Sequence, residues 1–257
     1  MEILIAPINE AAIETRLNAL VQRHDRAGNA AIQLLNLLGG QAEGLLDRLP
    51  EGIRNRLGDG TEAALKLAMQ AAQRSRDVVG EQPGWITRAV TTAMGAAGGF
   101  GGLPSAMAEL PITTTILLRA IQDVAMEHGF DPAEPGVQFD CIQVFASAGP
   151  LGADDGADLA FLSTRVAVTG ATIQALIARV APRLATVLGQ KLAAQAVPVL
   201  GAGAGMVANY AYTSYYQQMA QVHFGLRRLA IEADRDHGDL VKDFRKRVRK
   251  SSTSTTL

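Results

Sequence analysis

Two long stretches without a charged side chain limit the folds open to this chain more than any other feature. Residues 89–108 and 192–226 contain no Asp, Glu, Lys or Arg. The second stretch is long enough to cross a bilayer, which takes about 20 residues. Its polar side chains, Asn209 and Gln217 among them, dilute its hydrophobicity below that of a membrane-spanning helix. We therefore predict that it forms a buried central helix.

Apolar residues recur with helical spacing along most of the chain. Ile13 and Leu17 lie on one face of a predicted helix, and Leu65 and Ala68 lie on one face of another. Strand signals are scarce, and residues 137–145 fit a helical stripe as well as an alternating one. The apolar content comes mainly from Ala, Leu, Val and Ile, since aromatic residues make up only 5% of the chain. We predict an all-α fold with a single compact helical domain and two central glycine-rich apolar helical segments.

Clusters of Gly, Pro and Asp divide the chain, but none is long enough to be a flexible linker. One predicted break lies at residues 58–60, and a helix is expected to follow it. We expect a helical extension over residues 1–60, a main helical domain over 60–235, and a basic C-terminal helix with a disordered tail over 236–257.

Glycines recur four residues apart in both uncharged stretches. Four residues is about one helical turn, so each pair offers a flat groove into which another helix can press. A glycine inside a helix costs about 1 kcal/mol relative to alanine, which close packing or a turn before Pro104 must offset. Neither of the glycine spacings typical of phosphate-binding loops is present, so nucleotide binding is not expected. The predicted helix close-packing residues, on two surfaces that should face each other, are Gly95, Gly98, Gly99, Gly102, Gly201 and Gly205.

Polar residues of the second stretch follow alternating steps of four and three, which predicts a polar seam along one side of its helix. Buried polar groups need partners. They either hydrogen-bond to the helix predicted from Pro111 to Gly129, or line a small pocket. In that helix Arg119, Asp123 and Glu127 form a charged stripe, more typical of a solvated or salt-bridged face than of a catalytic carboxylate pair. The candidate ligand or seam residues are Glu109, Thr113, Arg119, Asn209, Thr213, Tyr216 and His223.

The end of the chain is strongly basic although the net charge of the whole chain is only -1. Residues 242–250 hold six basic residues and one acid, a formal charge of +5. Beside them runs an apolar ridge, Leu240, Val241, Phe244 and Val248. This predicts a basic amphipathic helix that either binds an anionic membrane, with the ridge inserted, or is solvated. The candidate membrane-surface residues are Lys242, Arg245, Lys246, Arg247, Arg249 and Lys250.

Other residue patterns argue against several classes of protein. The lone Cys141 excludes an internal disulfide and is expected to be a buried apolar residue. The four histidines never fall at metal-ligand spacing, and the serine-hydrolase motif G-x-S-x-G is absent, so no metal, no cofactor and no catalytic residue is assigned. The basic tail has no interleaved aromatics, so nucleic acid is not an expected partner. Glu2 stands where a signal peptide carries positive charge, which favours a cytoplasmic protein.

Two strings carry a family resemblance: GGFGGLPSAMAELPITTTILLRAIQDVAMEHGFD at residues 98–131, and AVPVLGAGAGMVANYAYTSYYQQMAQVHFGLRRL at residues 196–229. In that order they resemble the EcsC protein family of bacteria, over about residues 60–235. Phe130 stands where the family usually has Tyr. The resemblance implies no established reaction. The family takes its name from a gene beside two ABC-transporter components linked to secretion and protein processing, so the resemblance implies a role near such a transporter.

The favoured hypothesis is a non-enzymatic protein, peripheral at the inner face of the membrane, that supports ABC-transporter-linked secretion or envelope processes. Its expected partner is an anionic membrane surface or a membrane protein complex. One alternative is a hydrolase or small-ligand-binding protein with a pocket between residues 103–129 and 198–227. Another is an adaptor for a protein partner. The oligomeric state is left open.

Overall fold

The computed structural model describes residues 7–36, 47, 49–79, 110–145, 162, 170–195 and 201–255. In this part of the chain there are seven helices and no strand, so the predicted all-α fold is confirmed. The helices are α1 (Glu10–Asn36), α2 (Glu51–Val79), α3 (Leu110–Glu127), α4 (Pro135–Val144), α5 (Gly170–Gln195), α6 (Gly201–Ala233) and α7 (His237–Thr255).

Helix α6 occupies the centre of the fold. It is 33 residues long and packs against α1, α3, α4, α5 and α7, while α2 covers α3 and α5. Ala208, Ala211 and Met219 of the uncharged stretch are buried, as predicted for a central helix. Within the described ranges no helix is both long and apolar enough to cross a membrane.

The buried apolar side chains form two clusters. The larger one joins α2, α3, α4 and α5 to α6 and to the C-terminal half of α1, with Ile142 and Tyr216 among its fully buried members. The second joins the N-terminal half of α1 to α6 and α7 through Leu17, Leu226 and Phe244. Because burying one such side chain contributes about 1.5–3 kcal/mol, the second cluster makes α7 an integral part of the fold.

Helix α3 begins and ends where the sequence predicts. Helix α3 includes Pro111 in its first turn and is closed by Gly129, whose φ of 79° is a backbone conformation that favours glycine. The turn after α6 uses Asp234 at a φ of 49° in the same way. Asp236 then caps α7, since its Oδ1 accepts a 3.1 Å hydrogen bond from the Asp239 N–H. This short turn folds α7 back along α6.

The break predicted at residues 58–60 is wrong, because α2 runs through Gly58 and Gly60 without interruption. Leu57, Leu65 and Ala68 form one buried stripe across this position. Their burial offsets the roughly 1 kcal/mol that each glycine costs in a helix. The helix expected to begin after residue 60 therefore begins at Glu51, and the expected boundary at residue 60 lies inside α2.

The C-terminal helix also extends further than its sequence suggests. The sequence predicts a basic helix with a tail after it, and in the structure α7 continues to Thr255. The Ser251 hydroxyl donates to the Val248 carbonyl at 2.8 Å, which turns a residue that competes with helix formation back onto the helix. The predicted helix over residues 86–97 and the turn from Gly98 to Pro104 lie outside the described residues.

Candidate functional site

The polar seam predicted on α6 lies inside the bundle. Asn209, Thr213, Tyr216 and His223 are each no more than 3% exposed. Helix α3 contains a second set of buried polar residues. This second set is Thr113, Thr114, Gln122 and Asp123. The interior of the bundle therefore contains polar side chains from both helices.

The charged stripe of α3 is mostly buried rather than solvated. Arg119 Nε lies 3.3 Å from Asp123 Oδ1, and these side chains are only 11% and 4% exposed. Glu127 is exposed and accepts a 2.5 Å hydrogen bond from Gln221 Nε2 of α6, a residue outside the predicted seam. His128 Nε2 lies 2.8 Å from Gln221 Oε1, so one amide of α6 contacts both residues at the end of α3.

The best-defined charge cluster joins α4 to α6 around Asp140. Arg227 Nη1 donates to Asp140 Oδ2 at 2.5 Å, and His223 Nε2 lies 3.5 Å from Asp140 Oδ1. The Arg227 guanidinium also lies 4.3 Å from the centre of the Phe130 ring, a cation–π contact. Phe130 thus contributes the aromatic ring of this contact. A tyrosine, the residue usual in the family, would offer the same ring, and its hydroxyl is not needed for the contact.

The environment of Asp140 favours its ionised form. Burial alone would raise the pKa of this carboxyl, but the adjacent His223 imidazole and the Arg227 guanidinium hold it below the ordinary value. An Asp–His pair can orient a general base that activates a nucleophile. The neighbouring Cys141 would be such a nucleophile, but it is fully buried, as predicted from the sequence. The cluster is best described as an ionic link between two helices.

Two buried tyrosines of α6 lie beside this polar interior. The hydroxyls of Tyr212 and Tyr216 have no hydrogen-bond partner in the described part of the chain. Burial raises the pKa of both phenols, so they stay protonated at any physiological pH. The Phe145 ring lies 5.2 Å from that of Tyr216 at an edge-to-face angle, so the aromatic ring packs closely although its hydroxyl is unsatisfied.

Helix α7 presents basic residues outward and its apolar ridge inward. Leu240, Val241, Phe244 and Val248 are at most 2% exposed, so this fold does not present the ridge for insertion into a membrane, which was one of the two alternatives left open by the sequence. The physical reason is that α1 and α6 already cover this ridge. Lys242, Lys246, Arg249 and Lys250 are exposed, whereas Arg245 and Arg247 are half-buried.

Arg247 is held by α1 and is less accessible than its neighbours. It donates to Glu14 Oε1 at 2.6 Å and to Asn18 Oδ1 at 2.7 Å. Burial of Arg245 and the nearby charge of Arg249 lower the pKa of the Arg245 guanidinium. Four of the six predicted membrane-surface residues are therefore exposed on the outer side of α7.

An open groove of about 920 Å³ runs between α1 and α6. We call it the α1/α6 groove. Tyr210 and Tyr215 of α6 line one side, and Arg23 and Arg26 of α1 line the other. Its remaining lining residues are small or neutral, namely Ala19, Gln22, Ala27, Ala30, Ala31, Gln33, Ala211, Ser214 and Gln218. A smaller cavity of about 300 Å³ lies among α2, α4 and α5.

Several predicted residues fall where the structure gives no description. Glu109 and the glycines from Gly95 to Gly102 lie outside the described residues, and so does the predicted contact between the two glycine-rich surfaces. Gly201 and Gly205 lie in the first turns of α6. Among the described residues, no group of three or more His, Cys, Asp or Glu side chains could hold a metal ion.

Some of the residues that define these sites were missed from the sequence. Asp140 is the only charged residue between Val137 and Phe145, and a lone carboxylate in an apolar helix is a usable signal. Arg23, Arg26 and Tyr210 carried no such signal, because nothing in their spacing shows that α1 packs antiparallel to α6.

Comparison with known proteins gives one match. A model described as the EcsC protein family matches residues 71–229, which is more than half of the chain and includes α3, α4 and α5. No curated protein and no solved structure matches.

Proposed function

The chain belongs to the EcsC protein family, and on this premise we propose that it is a non-enzymatic protein that binds peripherally to an anionic membrane surface. In this proposal it works at the cytoplasmic face of the membrane. It supports ABC-transporter-linked secretion or envelope processes, as the family resemblance implies. Its contact with the membrane is made by the exposed basic residues of α7.

The observation that carries the proposal is the orientation of α7. Its apolar side is packed in the second cluster, so its exposed lysines and arginine lie together on its outer side. Lys242 pairs with Asp239 at 2.8 Å and Lys246 with Asp243 at 3.8 Å, but these lysine side chains are 70% and 76% exposed. Surface pairs of this kind contribute little and exchange readily for a phosphate group. Each Lys or Arg near an anionic leaflet contributes about 1 kcal/mol to binding.

Flotation with vesicles tests the proposal. The full chain should float with vesicles that contain phosphatidylglycerol at low salt, and should be released as salt screens the charges. The variant Lys242→Gln, Lys246→Gln and Lys250→Gln should bind about tenfold or more weakly, because three cations are removed. Deletion of residues 240–257 is a poor test, since it also removes Leu240, Phe244 and Val248 from the core.

The matched control removes the same charge elsewhere. Arg56→Gln, Lys66→Gln and Arg179→Gln alter exposed basic residues of α2 and α5. This control should float like the unaltered protein. Equal losses in the two triple variants, or no flotation of the unaltered protein, would contradict a role for α7 in membrane binding.

Each of the two alternative functions would use a different set of residues. A hydrolase or ligand-binding protein would use the buried Asp140–His223 pair, which lies between α4 and α6 rather than between residues 103–129 and 198–227. A protein-partner adaptor would use an exposed apolar surface, and Ile112, Ile231 and Leu67 are more than half exposed but lie on three different helices. Neither arrangement is as extensive as the basic row of α7.

A further inference from the structure

The α1/α6 groove has a charge that the fold itself does not neutralise. Arg23 Nη1 donates to the neutral amide of Gln218 at 2.8 Å, and Arg26 Nη2 donates to Gln22 at 3.1 Å. Neither arginine forms an ion pair with a described residue, whereas Arg16 and Arg247 of the neighbouring surface both bind carboxylates. No Asp or Glu is among the lining residues of the groove. The groove is therefore complementary to an anion.

The same groove offers apolar surface beyond the two arginines. Ala27, Ala31 and Ala211 form part of its floor and are buried, while Tyr215 closes one wall. Tyr210 is 42% exposed at the rim of the groove. A cationic end beside an apolar floor is complementary to an anionic amphiphile.

The size of the groove favours a small molecule over a protein. Its volume of about 920 Å³ falls within the range of small-molecule sites, which is roughly 300–1,000 Å³. Stable protein partners cover roughly 800 Å² on each side, which calls for a broad surface rather than a narrow groove between two helices.

We propose that the α1/α6 groove binds one anionic phospholipid, with the phosphate between Arg23 and Arg26 and part of an acyl chain along the alanine floor. This inference rests on the proposed membrane association, because the membrane supplies the lipid. Arginine suits the head group because its planar fork donates two hydrogen bonds to one phosphate. The groove thereby adds selectivity for a particular lipid to the non-selective attraction of α7.

Calorimetric titration of the full chain with dihexanoyl phosphatidylglycerol, below its micelle concentration, tests the groove without a membrane. We expect saturable binding of one lipid per chain, and about tenfold or more weaker binding to Arg23→Gln with Arg26→Gln. The control Arg56→Gln with Arg179→Gln removes the same charge from exposed residues of α2 and α5 and should bind normally.

A second pair of variants tests the apolar part of the site. Ala30→Trp fills the groove from its exposed wall and should abolish titration, whereas Asn29→Trp, on an exposed residue outside the lining, should not. Circular dichroism and thermal unfolding verify that each variant folds. Equal effects of the two tryptophans would overturn the groove as the binding site.

Three further ligands separate the possible sources of the anion. Glycerol 3-phosphate that binds as tightly as the lipid would overturn the role of the acyl chain. Decanoate that binds as tightly would overturn the phospholipid assignment in favour of a fatty acid. Dihexanoyl phosphatidylcholine should bind more weakly, because it has no net charge. Flotation of the chain with vesicles but no titration by the soluble lipid overturns this inference alone, whereas failure of flotation counts against the proposed function.

Discussion

Arg227 of α6 donates a 2.5 Å hydrogen bond to Asp140 of α4, and this contact adds an ionic link to the apolar packing of the two helices. The pair is mostly buried, with side chains 19% and 16% exposed. A carboxylate in such a place is stable only while its cationic partners remain.

Asp140→Asn should therefore destabilise the protein by about 3 kcal/mol, because Arg227 would keep its buried charge without a counter-ion. Urea unfolding followed by circular dichroism measures the change. Asp59→Asn, at an exposed position of α2, is the control and should change stability by less than about 0.5 kcal/mol. A similar small change for both variants would show that the ionic link contributes nothing.

The carboxylate of Asp140 should make the unfolding free energy depend on pH. Its pKa in the folded protein lies below the ordinary value of 3.8, so its contribution is complete above that value and is lost as the pH falls through the folded-state pKa. The difference in unfolding free energy between the native protein and Asp140→Asn should narrow from neutral pH to about pH 3. A constant difference over this range would contradict an ionised Asp140.

Removing either unsatisfied tyrosine hydroxyl should cost nothing. Tyr212→Phe and Tyr216→Phe keep the rings and delete buried groups that have no partner among the described residues. We expect the unfolding free energy to change by no more than about 0.5 kcal/mol, or to increase by about 1 kcal/mol. Tyr216→Ala is the contrast and should cost about 4 kcal/mol, because it also removes the ring that packs on Phe145. A large loss in either Phe variant would reveal a bonded hydroxyl.

Phe244→Ala should destabilise the whole protein by about 3–5 kcal/mol, because this ring is fully buried in the second core. Thermal unfolding measures the effect. Lys250→Ala changes an exposed residue of the same helix and should leave the midpoint within about 2 °C. If α7 were a detachable membrane helix, both substitutions would leave the stability unchanged.

The helical class and the buried position of α6 could be predicted because both depend on local periodicity and on the absence of charge over residues 192–226. The break at residues 58–60 could not, since a glycine pair is compatible with either a turn or a helix. The choice is made by Leu57 and Leu65 packing against other helices. The burial of these leucines outweighs the low helix propensity of the two glycines.

The candidate sites were predictable only within single helices. The seam from Asn209 to His223 was recognised because its residues share one face of α6. The partner of His223 was not, because Asp140 lies on α4 and its position depends on how two helices cross. The surface that covers the apolar ridge of α7 could not be predicted for a similar reason. Amphipathicity shows that Phe244 needs an apolar surface, but not whether protein or lipid provides it.

The packing of α1 has a consequence for synthesis on the ribosome. Its Arg16 pairs with Glu232, a residue 216 positions later, and its apolar side is covered by α6 and α7. At about 5–20 residues translated per second, α1 waits for roughly ten seconds or more before α6 and α7 emerge. During that interval Ile13, Leu17 and Val21 are exposed on the nascent chain, so α1 is a segment that a chaperone could bind.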